Sequence, residues 1–542
     1  MRARRAAVLT ASLLIALFTF YFPGHTYLHQ DTQIYVPMLE RMWDPSVLGC
    51  DLSATRPHMA FTLYDETALA LKRLTGAPFG TILVAEQFVF RAAGVLGIYL
   101  IAAALGLGFF PAFAVAAWCS LGAVITGPAV LAMEYEPTPR AFAMGLLLLA
   151  LGLAFRGSWT AASAATGLAF VYHAPTVFAF WLLLLVWLVR KRDWPALAPL
   201  AAAFLVLILA AYLQTGQMEP HPLFGTLDPV LEQLQRLRAS YNWVARWGTP
   251  VILQYVVLFG VAMLGIWRLK PARGVWFLAG LPLLGLASVP LSYVLMDGMK
   301  WSLMAQVQPA RATLFITVIA VILAGVCGAR AGMAGRWLES AAWLFLVFLV
   351  PQQNRLWGDP QMLRQVLVAA AFGATGAAIS RWKAQPALPI FALACFFLIP
   401  TLGGVRNYPV VRTPDLDALA AFARTETPKD AIFLFPEAGK ALHPGMFRAE
   451  ARRCVYVDWK TGGQVNYFRS LGIEWWKRWQ ETMQSGAADS GADRYRALGI
   501  DYIVLGPGKE LAGSRLVYRN SQFAVYATLR NASTSARVGT ED

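Results

Sequence analysis

The chain has 542 residues, of which 57% are hydrophobic and only 14% charged, with a formal net charge of +15 and a mean hydropathy of +0.51. Soluble globular proteins carry about 25% charged residues, whereas here the apolar residues form long uncharged runs such as 141–155 and 174–189. Apolar runs of about 20 residues match the thickness of a bilayer, so the composition excludes a soluble protein.

Hydropathy predicts an α-helical polytopic membrane protein with about thirteen transmembrane helices. The first apolar run follows Met-Arg-Ala-Arg-Arg and ends in Phe-Tyr-Phe-Pro-Gly. This ending is not a small-residue cleavage site, so we expect an uncleaved anchor. The predicted segments are 6–23, 80–107, 109–132, 140–156, 160–173, 174–190, 195–214, 249–267, 275–296, 311–329, 337–351, 364–381 and 386–404.

Lysine and arginine in the short connections predict the orientation, because such residues stay on the cytoplasmic side. With the N-terminus inside, the inner connections hold fourteen basic residues and one acid, Asp193, which together account for +13 of the net charge. The charge therefore indicates topology and argues against nucleic-acid binding. We expect a bacterial inner-membrane protein with a cytoplasmic N-terminus and a periplasmic C-terminal domain. The basic residues are Arg2, Arg4, Arg5, Arg156, Arg190, Lys191, Arg192, Arg268, Lys270, Arg273, Arg330, Arg336, Arg381 and Lys383.

The first outer loop, residues 24–79, is far longer than most loops in compact proteins, and long loops tend to be functional. It opens with His25, His29 and Asp31 close to the membrane surface. A carboxylate beside histidines can bind a divalent cation or deprotonate a hydroxyl. The structural alternative is that Asp31 caps a helix and the histidines are solvated. Residues 59–74 carry apolar residues at helical spacing and are expected to lie flat on the membrane interface.

Other polar residues lie at the predicted outer ends of later spans. An arginine at such a boundary can hold a lipid-linked phosphate through bidentate hydrogen bonds. A lone histidine in a short span either lines a cavity or is a packing residue with satisfied hydrogen bonds. The candidate residues in these positions are Glu134, Glu136, Arg140, His173, Lys300 and Arg311.

After residue 404 the pattern alternates between helix and strand, which predicts a small α/β domain over 405–530 that follows the transmembrane domain 1–404. The aromatic helix with Trp475, Trp476 and Trp479 either packs on its own domain or rests at the membrane interface. Helices are predicted at 415–425, 466–483 and 492–498, strands at 431–435, 455–457 and 502–505, a hairpin at 515–528, and a disordered tail at 531–542.

The five cysteines form no CxxC pair and no metal-binding spacing. Cys119, Cys327 and Cys395 lie in apolar runs and are expected to be inert packing residues. Cys50 and Cys454 fall in the predicted outer-face regions, where both a disulfide and two free thiols are compatible with the sequence.

With these features the chain resembles the C-type (GT-C) superfamily of polytopic membrane glycosyltransferases. Members have an N-terminal span, a long first outer loop that opens with an acidic motif, many spans and often an extracytoplasmic C-terminal domain. The resemblance implies that Asp31 is the catalytic base or helps to hold a metal, with Mg²⁺ or Mn²⁺ as the candidate cofactor. The lone Asp31 departs from the paired acids of many members, which leaves the use of a metal open.

The remaining sites follow from the same resemblance. In the superfamily the second outer loop contributes acidic or basic side chains to the cavity of the first. The resemblance therefore implies acceptor or metal ligands at His29, Glu134 and Glu136, donor-phosphate ligands at Arg140, Lys300 and Arg311, and a cavity position at His173. Phe447-Arg448, Val457-Asp458-Trp459-Lys460 and the tryptophan helix resemble a family of uncharacterised bacterial membrane proteins.

The predicted reaction is the transfer of a sugar from a polyprenyl-phosphate donor to an acceptor at the outer face of the membrane. The expected partners are membrane lipid and this donor. One alternative is a non-catalytic scaffold or assembly protein of envelope glycan synthesis, whose tail binds a partner. The other is a transporter or flippase, which should show internal repeats; the sequence shows no duplicated halves.

Overall fold

The computed structural model describes residues 2–55, 62–213, 224–352, 361–381, 386–406, 408–483 and 491–528, so the predicted disordered tail lies outside the described residues. The strands are β1 (Val124–Ile125), β2 (Val130–Leu131), β3 (Ile432–Leu434), β4 (Cys454–Val455), β5 (Tyr502–Leu505), β6 (Arg515–Arg519) and β7 (Ala524–Ala527). The helices are α1 (Arg2–Thr19), α2 (Thr32–Trp43), α3 (Tyr64–Thr75), α4 (Phe79–Ala104), α5 (Phe109–Cys119), α6 (Pro139–Phe155), α7 (Trp159–Lys191), α8 (Trp194–Leu213), α9 (Pro229–Arg238), α10 (Thr249–Leu269), α11 (Val275–Ser292), α12 (Met304–Val307), α13 (Leu314–Met333), α14 (Trp337–Leu349), α15 (Met362–Arg381), α16 (Ala387–Gly403), α17 (Pro414–Glu426), α18 (His443–Ala451), α19 (Arg469–Met483) and α20 (Ala492–Ala497).

The apolar helices make the chain an integral membrane protein, as its hydropathy predicts. Within the described ranges, seven helices are long and apolar enough to cross a membrane, and five more apolar helices are shorter. One predicted segment, 109–132, is too long, because α5 ends at Cys119. Gly122 and Gly127 adopt positive φ angles of 85° and 95°, and the chain between them enters a short β1–β2 hairpin.

Helix α7 reverses direction at His173 and so contains two of the predicted segments. The rings of Trp159 and Trp187 lie 5.6 Å apart, although a continuous helix would separate these residues by about 42 Å. His173 has a non-helical backbone conformation. Pro175 has no N–H to offer the carbonyl of Val171, which accepts instead from the backbone N–H of Leu63 at 3.0 Å.

Helices α4 and α6 approach each other so closely that only glycine fits at the contact. A Cβ atom on Gly97 would collide with the backbone at Leu148, and one on Gly145 would collide with the carbonyl of Phe90. Small residues at such positions let membrane helices gain close van der Waals contact where no hydrophobic driving force exists. The segment before α6, which contains Glu136, lies beside the first loop.

The first loop carries two helices, α2 and α3. Helix α3 begins within the predicted amphipathic stretch 59–74 and ends just beyond it, at Thr75, and the structure describes that stretch from residue 62. Helix α2 corresponds to the helix that the structural alternative for Asp31 implies, although its bounds were not predicted. The buried guanidinium of Arg91 fixes the start of this loop, because it donates to the carbonyl oxygens of Thr19 at 3.1 Å, Gly24 at 2.7 Å and Glu134 at 2.6 Å.

The C-terminal domain is the expected α/β layer. Its five-stranded sheet has the order β4-β3-β5-β7-β6, with β3 parallel to β4 and β5, and β7 antiparallel to β5 and β6. Helix α18 was missed, because Pro444 and Gly445 in its first turn weaken the helical signal. Trp475 and Trp479 are buried against Trp459, so α19 packs on its own domain rather than on the membrane.

The C-terminal domain packs directly on the first loop. Cys50 and Cys454 form a disulfide across 404 residues of sequence, which decides between the two alternatives for these thiols. Arg448 of α18, 1% exposed, lies 3.8 Å from Asp51 and donates to the carbonyl oxygen of Gln33 at 3.0 Å. The first loop and the C-terminal domain therefore lie on the same side of the membrane helices.

Candidate active site

Asp31 lies at the N-cap position of α2, but its side chain makes no capping hydrogen bond. Its carboxylate instead contacts two cations, with Oδ2 2.6 Å from Nη1 of Arg140 and Oδ1 2.6 Å from Nζ of Lys460. The side chain remains 24% exposed. The helix-cap alternative therefore fails, and Asp31 forms the centre of a charged cluster built by the first loop, α6 and the C-terminal domain.

These two cations decide the ionisation of Asp31. Burial by itself would raise the pKa of a carboxyl group, but Lys460 and Arg140 together outweigh burial and hold the pKa of Asp31 well below its usual range. The carboxylate is consequently ionised throughout the physiological pH range. It becomes a stronger base when a cation is drawn away from it, because basicity follows the pKa.

Glu134 and Glu136 hold the two halves of this cluster in place. The guanidinium of Arg140 donates to Glu134 from Nε at 2.6 Å and from Nη2 at 3.4 Å, which orients its Nη1 toward Asp31. The carboxylate of Glu136 accepts from the backbone N–H groups of His29, Gln30 and Thr32 at 2.6 to 3.0 Å. A carboxylate at a helix start satisfies otherwise unpaired N–H groups, so Glu136 fixes the turn that presents Asp31.

His29 faces away from the carboxylates. Its Nδ1 donates to the carbonyl oxygen of Pro409 at 2.9 Å, and burial lowers the pKa of its ring, so that the imidazole is neutral. Two cations occupy the positions around Asp31 that a metal ion would need, and backbone N–H groups occupy Glu136. These residues do not suit a divalent cation, and the described residues contain no group of three or more potential metal ligands; the metal stays a prediction from the sequence.

In addition to the charged cluster, Arg311 and His173 form a polar pair. Nη1 of Arg311 lies 3.1 Å from Nε2 of His173, at the reversal of α7. Arg311 is buried, and its Nε has no hydrogen-bond partner among the described residues. His173 therefore has a polar partner, and Nε of Arg311 is left without one among the described residues.

An apolar cavity of about 620 Å³ adjoins these residues. Volumes of this order are typical of small-molecule sites. Tyr467 lines the cavity, and burial raises its pKa to about 12, while the charges of Arg311, Arg140 and Asp31 also act on it. Tyr467 thereby connects the cavity with the charged cluster. The lining from the membrane helices includes Phe170, His173, Phe178, Leu284 and Leu291, and that from the C-terminal domain is Tyr467 and Phe468.

Lys300 is not brought to this cluster. Its ammonium lies 2.8 Å from the carboxylate of Glu232 in α9 and is 42% exposed. Glu232 also receives the guanidinium of Arg236 at 2.9 Å. The proposed role of Lys300 as a ligand of the donor phosphate thus finds no support in its position, and its charge stabilises the contact between α9 and the loop after α11.

The sequence did not identify Lys460 as a site residue. The stretch Val457-Asp458-Trp459-Lys460 is part of the resemblance of the tail to an uncharacterised family. Nothing in the local sequence indicates that Lys460 contacts the carboxylate of Asp31, which lies 429 positions earlier. Tyr35 of α2 was also missed: the charges of Asp31, Arg140 and Arg311 all act on its hydroxyl, and burial raises its pKa.

Comparison with known proteins gives one family match and several similar structures. Residues 414–482 match a family described as a domain of unknown function (DUF6798), in agreement with the resemblance of the tail to an uncharacterised family. No curated protein matches the sequence.

Among solved structures, the chain is similar to ArnT from Cupriavidus metallidurans bound to undecaprenyl phosphate, with a TM-score of 0.47, 16% identity and full coverage of both chains. It is also similar to the apo state of ArnT from the same organism, with a TM-score of 0.44 and 14% identity over 97% of this chain and 98% of that one. Both similarities extend over the membrane helices and the C-terminal domain.

Proposed function

We propose that the protein is a glycosyltransferase that moves a sugar from a polyprenyl-phosphate donor to an acceptor hydroxyl at the outer face of a bacterial inner membrane. The observation that carries this proposal is the ionised Asp31 between Arg140 and Lys460, near a large apolar cavity lined by His173, whose Nε2 contacts the buried Arg311. A lipid-linked anion needs an apolar site for its chain and cations for its phosphate.

The reaction follows from this arrangement. The oxygen of the acceptor hydroxyl attacks the anomeric carbon of the donor sugar and forms the new C–O bond. The bond between that carbon and the phosphate oxygen breaks, and polyprenyl phosphate leaves with the electron pair. Asp31 orients the hydroxyl and takes its proton. Arg140, Arg311 and Lys460 neutralise the charge that develops on the phosphate.

The donor phosphate also activates Asp31 in this scheme. While both cations contact the carboxylate, its pKa is held low. A phosphate competes for Arg140 and Lys460, so its arrival raises the pKa of Asp31 and makes the carboxylate a stronger base. Proton removal is thereby coupled to donor binding.

The outer-face location is proposed on two grounds. The basic residues cluster in the connections on the side opposite the first loop, which is typical of cytoplasmic connections. The first loop and the C-terminal domain are joined by a disulfide, and disulfides persist in oxidising compartments such as the periplasm. A polyprenyl donor suits that compartment, since its sugar needs no nucleotide carrier there.

The variant Asp31→Asn tests the function. Purified protein is incubated with polyprenyl-phosphate-linked hexoses and pentoses and acceptor membranes, and the release of polyprenyl phosphate is measured by mass spectrometry. We expect Asp31→Asn to lower the rate about 10²–10⁴-fold, the usual contribution of a general base. We expect the Asp31→Asn protein still to bind polyprenyl phosphate, because Arg140 and Lys460 remain and the carboxylate of Asp31 no longer competes with the phosphate for them.

The control is Asp44→Asn, which changes an exposed carboxylate of the same loop that accepts from Ser46 and should leave the rate unchanged. Transfer at the wild-type rate by Asp31→Asn would contradict the proposal. Failure of the wild-type protein to bind polyprenyl phosphate would favour the scaffold alternative.

A further inference from the structure

Lys460 is the contribution of the C-terminal domain to the charged cluster. Its ammonium lies 2.6 Å from Asp31 and 3.1 Å from Oε1 of Gln30, and the side chain is only 15% exposed. A lysine ammonium has three donors, and the described residues supply partners for two of them. The third N–H is therefore available to a ligand at the site.

Arg448 fixes the position of Lys460. Its Nη1 donates to Asp458 at 3.1 Å and to Thr461 at 2.9 Å, and its Nη2 donates to the carbonyl oxygen of Gln33 at 3.0 Å. Asp458 and Thr461 flank Lys460, whereas Gln33 belongs to the first turn of α2, which starts immediately after Asp31. One buried guanidinium thus holds the loop that bears Lys460 against the helix that presents Asp31.

The same segment of the C-terminal domain also closes the apolar cavity. Tyr467 and Phe468 follow Lys460 within eight residues and line the cavity together with residues of the membrane helices. Gly445 of α18 lies where the domain contacts the first loop, and a Cβ atom there would collide with the side-chain oxygen of Gln33. The domain therefore contributes both a cation and part of the lipid-sized cavity wall.

We propose that the C-terminal domain, whose family has no assigned function, completes the active site: Lys460 binds the phosphate of the lipid-linked donor, and Arg448 is the residue that positions Lys460. This inference rests on the proposed function and assigns to the domain a part in donor recognition. The ligand class is a phosphate monoester or diester on an isoprenoid chain.

The test measures the dissociation constant of polyprenyl phosphate with the full-length protein in detergent. Loss of one charge-assisted contact should raise the Kd of Lys460→Met about 10- to 100-fold, while Lys460→Arg should retain most of the affinity. The matched control is Lys477→Met, which removes an exposed lysine of the same domain and should bind as the wild type does.

Arg448 requires a measurement that distinguishes positioning from folding. Arg448→Lys keeps the charge but not the forked geometry, and we expect it to weaken binding about as much as Lys460→Met. The double variant Arg448→Lys/Lys460→Met should then bind no more weakly than either single variant, because both changes remove the same contact. Additive losses would show that Arg448 is only structural, and intact disulfide and thermal stability of Arg448→Lys confirm that the domain is folded.

Two negative outcomes have different meanings. If the wild type binds polyprenyl phosphate and Lys460→Met binds it with the same Kd, the role of the C-terminal domain is overturned while the proposed function stands. If the wild type itself shows no binding, the proposed function and this inference both fail.

Discussion

Asp31 and Asp65 lie on the same loop, yet their surroundings shift their pKa values in opposite directions. Asp31 contacts two cations, and its pKa is held well below the usual range. Asp65 of α3 is buried, its Oδ1 has no hydrogen-bond partner among the described residues, and burial together with the nearby Glu66 raises its pKa to about 7. Burial without a partner favours the protonated acid, so the chemical character of each carboxyl is set by its neighbours.

The raised pKa of Asp65 makes stability depend on pH. In the unfolded chain its carboxyl has its usual pKa of about 3.9, so the folded state binds the proton more tightly. The free energy of unfolding therefore falls as the pH rises, because the unfolded chain releases this proton before the folded protein does. The fall begins at about pH 4 and is complete above about pH 7.

Asp65→Asn removes this titration. We expect its melting temperature to exceed that of the wild type by an amount that grows from pH 5 to pH 8, with a free-energy limit on the order of 4 kcal/mol. Thermal unfolding in detergent at four pH values measures this difference. Asp44→Asn should show no such trend, and a pH-independent difference for Asp65→Asn would contradict the interpretation.

At the scale of single elements, packing and backbone chemistry decide how the helices are arranged. Pro175 prevents a continuous α7, and the freed carbonyl groups of residues 171 and 172 accept from the first loop. The turn brings His173 to Arg311. The α4–α6 contact depends on glycines whose replacement would meet backbone atoms rather than flexible side-chain ends.

Gly97→Val tests the contact between α4 and α6. The added side chain meets the backbone of α6 at Leu148, so we expect a loss of at least about 1–3 kcal/mol, as for other overpacked sites, seen as a lower melting temperature. Gly260→Val is the matched control, because Gly260 lies in the membrane helix α10 with no neighbour within 4 Å of its Cβ position. Equal effects of the two substitutions would refute the close-packing argument.

At the scale of the whole molecule, the C-terminal domain and the first loop form one assembly on the same side of the membrane helices. A disulfide, the buried Arg448 and the pair of Arg452 with Glu40 at 3.2 Å join them. Removing one partner of a buried ion pair is costly, so these contacts keep the domain docked. The charged cluster exists only in this docked arrangement, because one of its cations belongs to the domain.

Reduction of the disulfide should loosen this assembly. We expect Cys50→Ser/Cys454→Ser to lose about 2–4 kcal/mol of stability. A reducing agent should lower the melting temperature of the wild type and leave that of the double variant unchanged, since the other three cysteines are free. An unchanged melting temperature of the reduced wild type would show that the ion pairs alone hold the domain.

The sequence by itself determined the membrane architecture and the secondary structure of most of the tail. Apolar runs and clustered basic residues are local properties of the chain. The alternation of helix and strand patterns after residue 404 is local too, and the strand that it predicts at residues 502–505 is observed at the same positions. Asp31 also emerged from local context, as an acid just after the first span. The start of helix α2 depends on Glu136, which accepts from the N–H of Thr32 although it lies 104 positions away.

Only the tertiary structure decided which charges meet. Asp31 and Lys460 are brought together by a domain that docks through Arg448 and a disulfide, and Lys300 is directed to Glu232 instead. No local pattern encodes such contacts, because their energy depends on distance and burial in space rather than on separation along the chain. The depressed pKa of Asp31 is therefore a property of the folded protein.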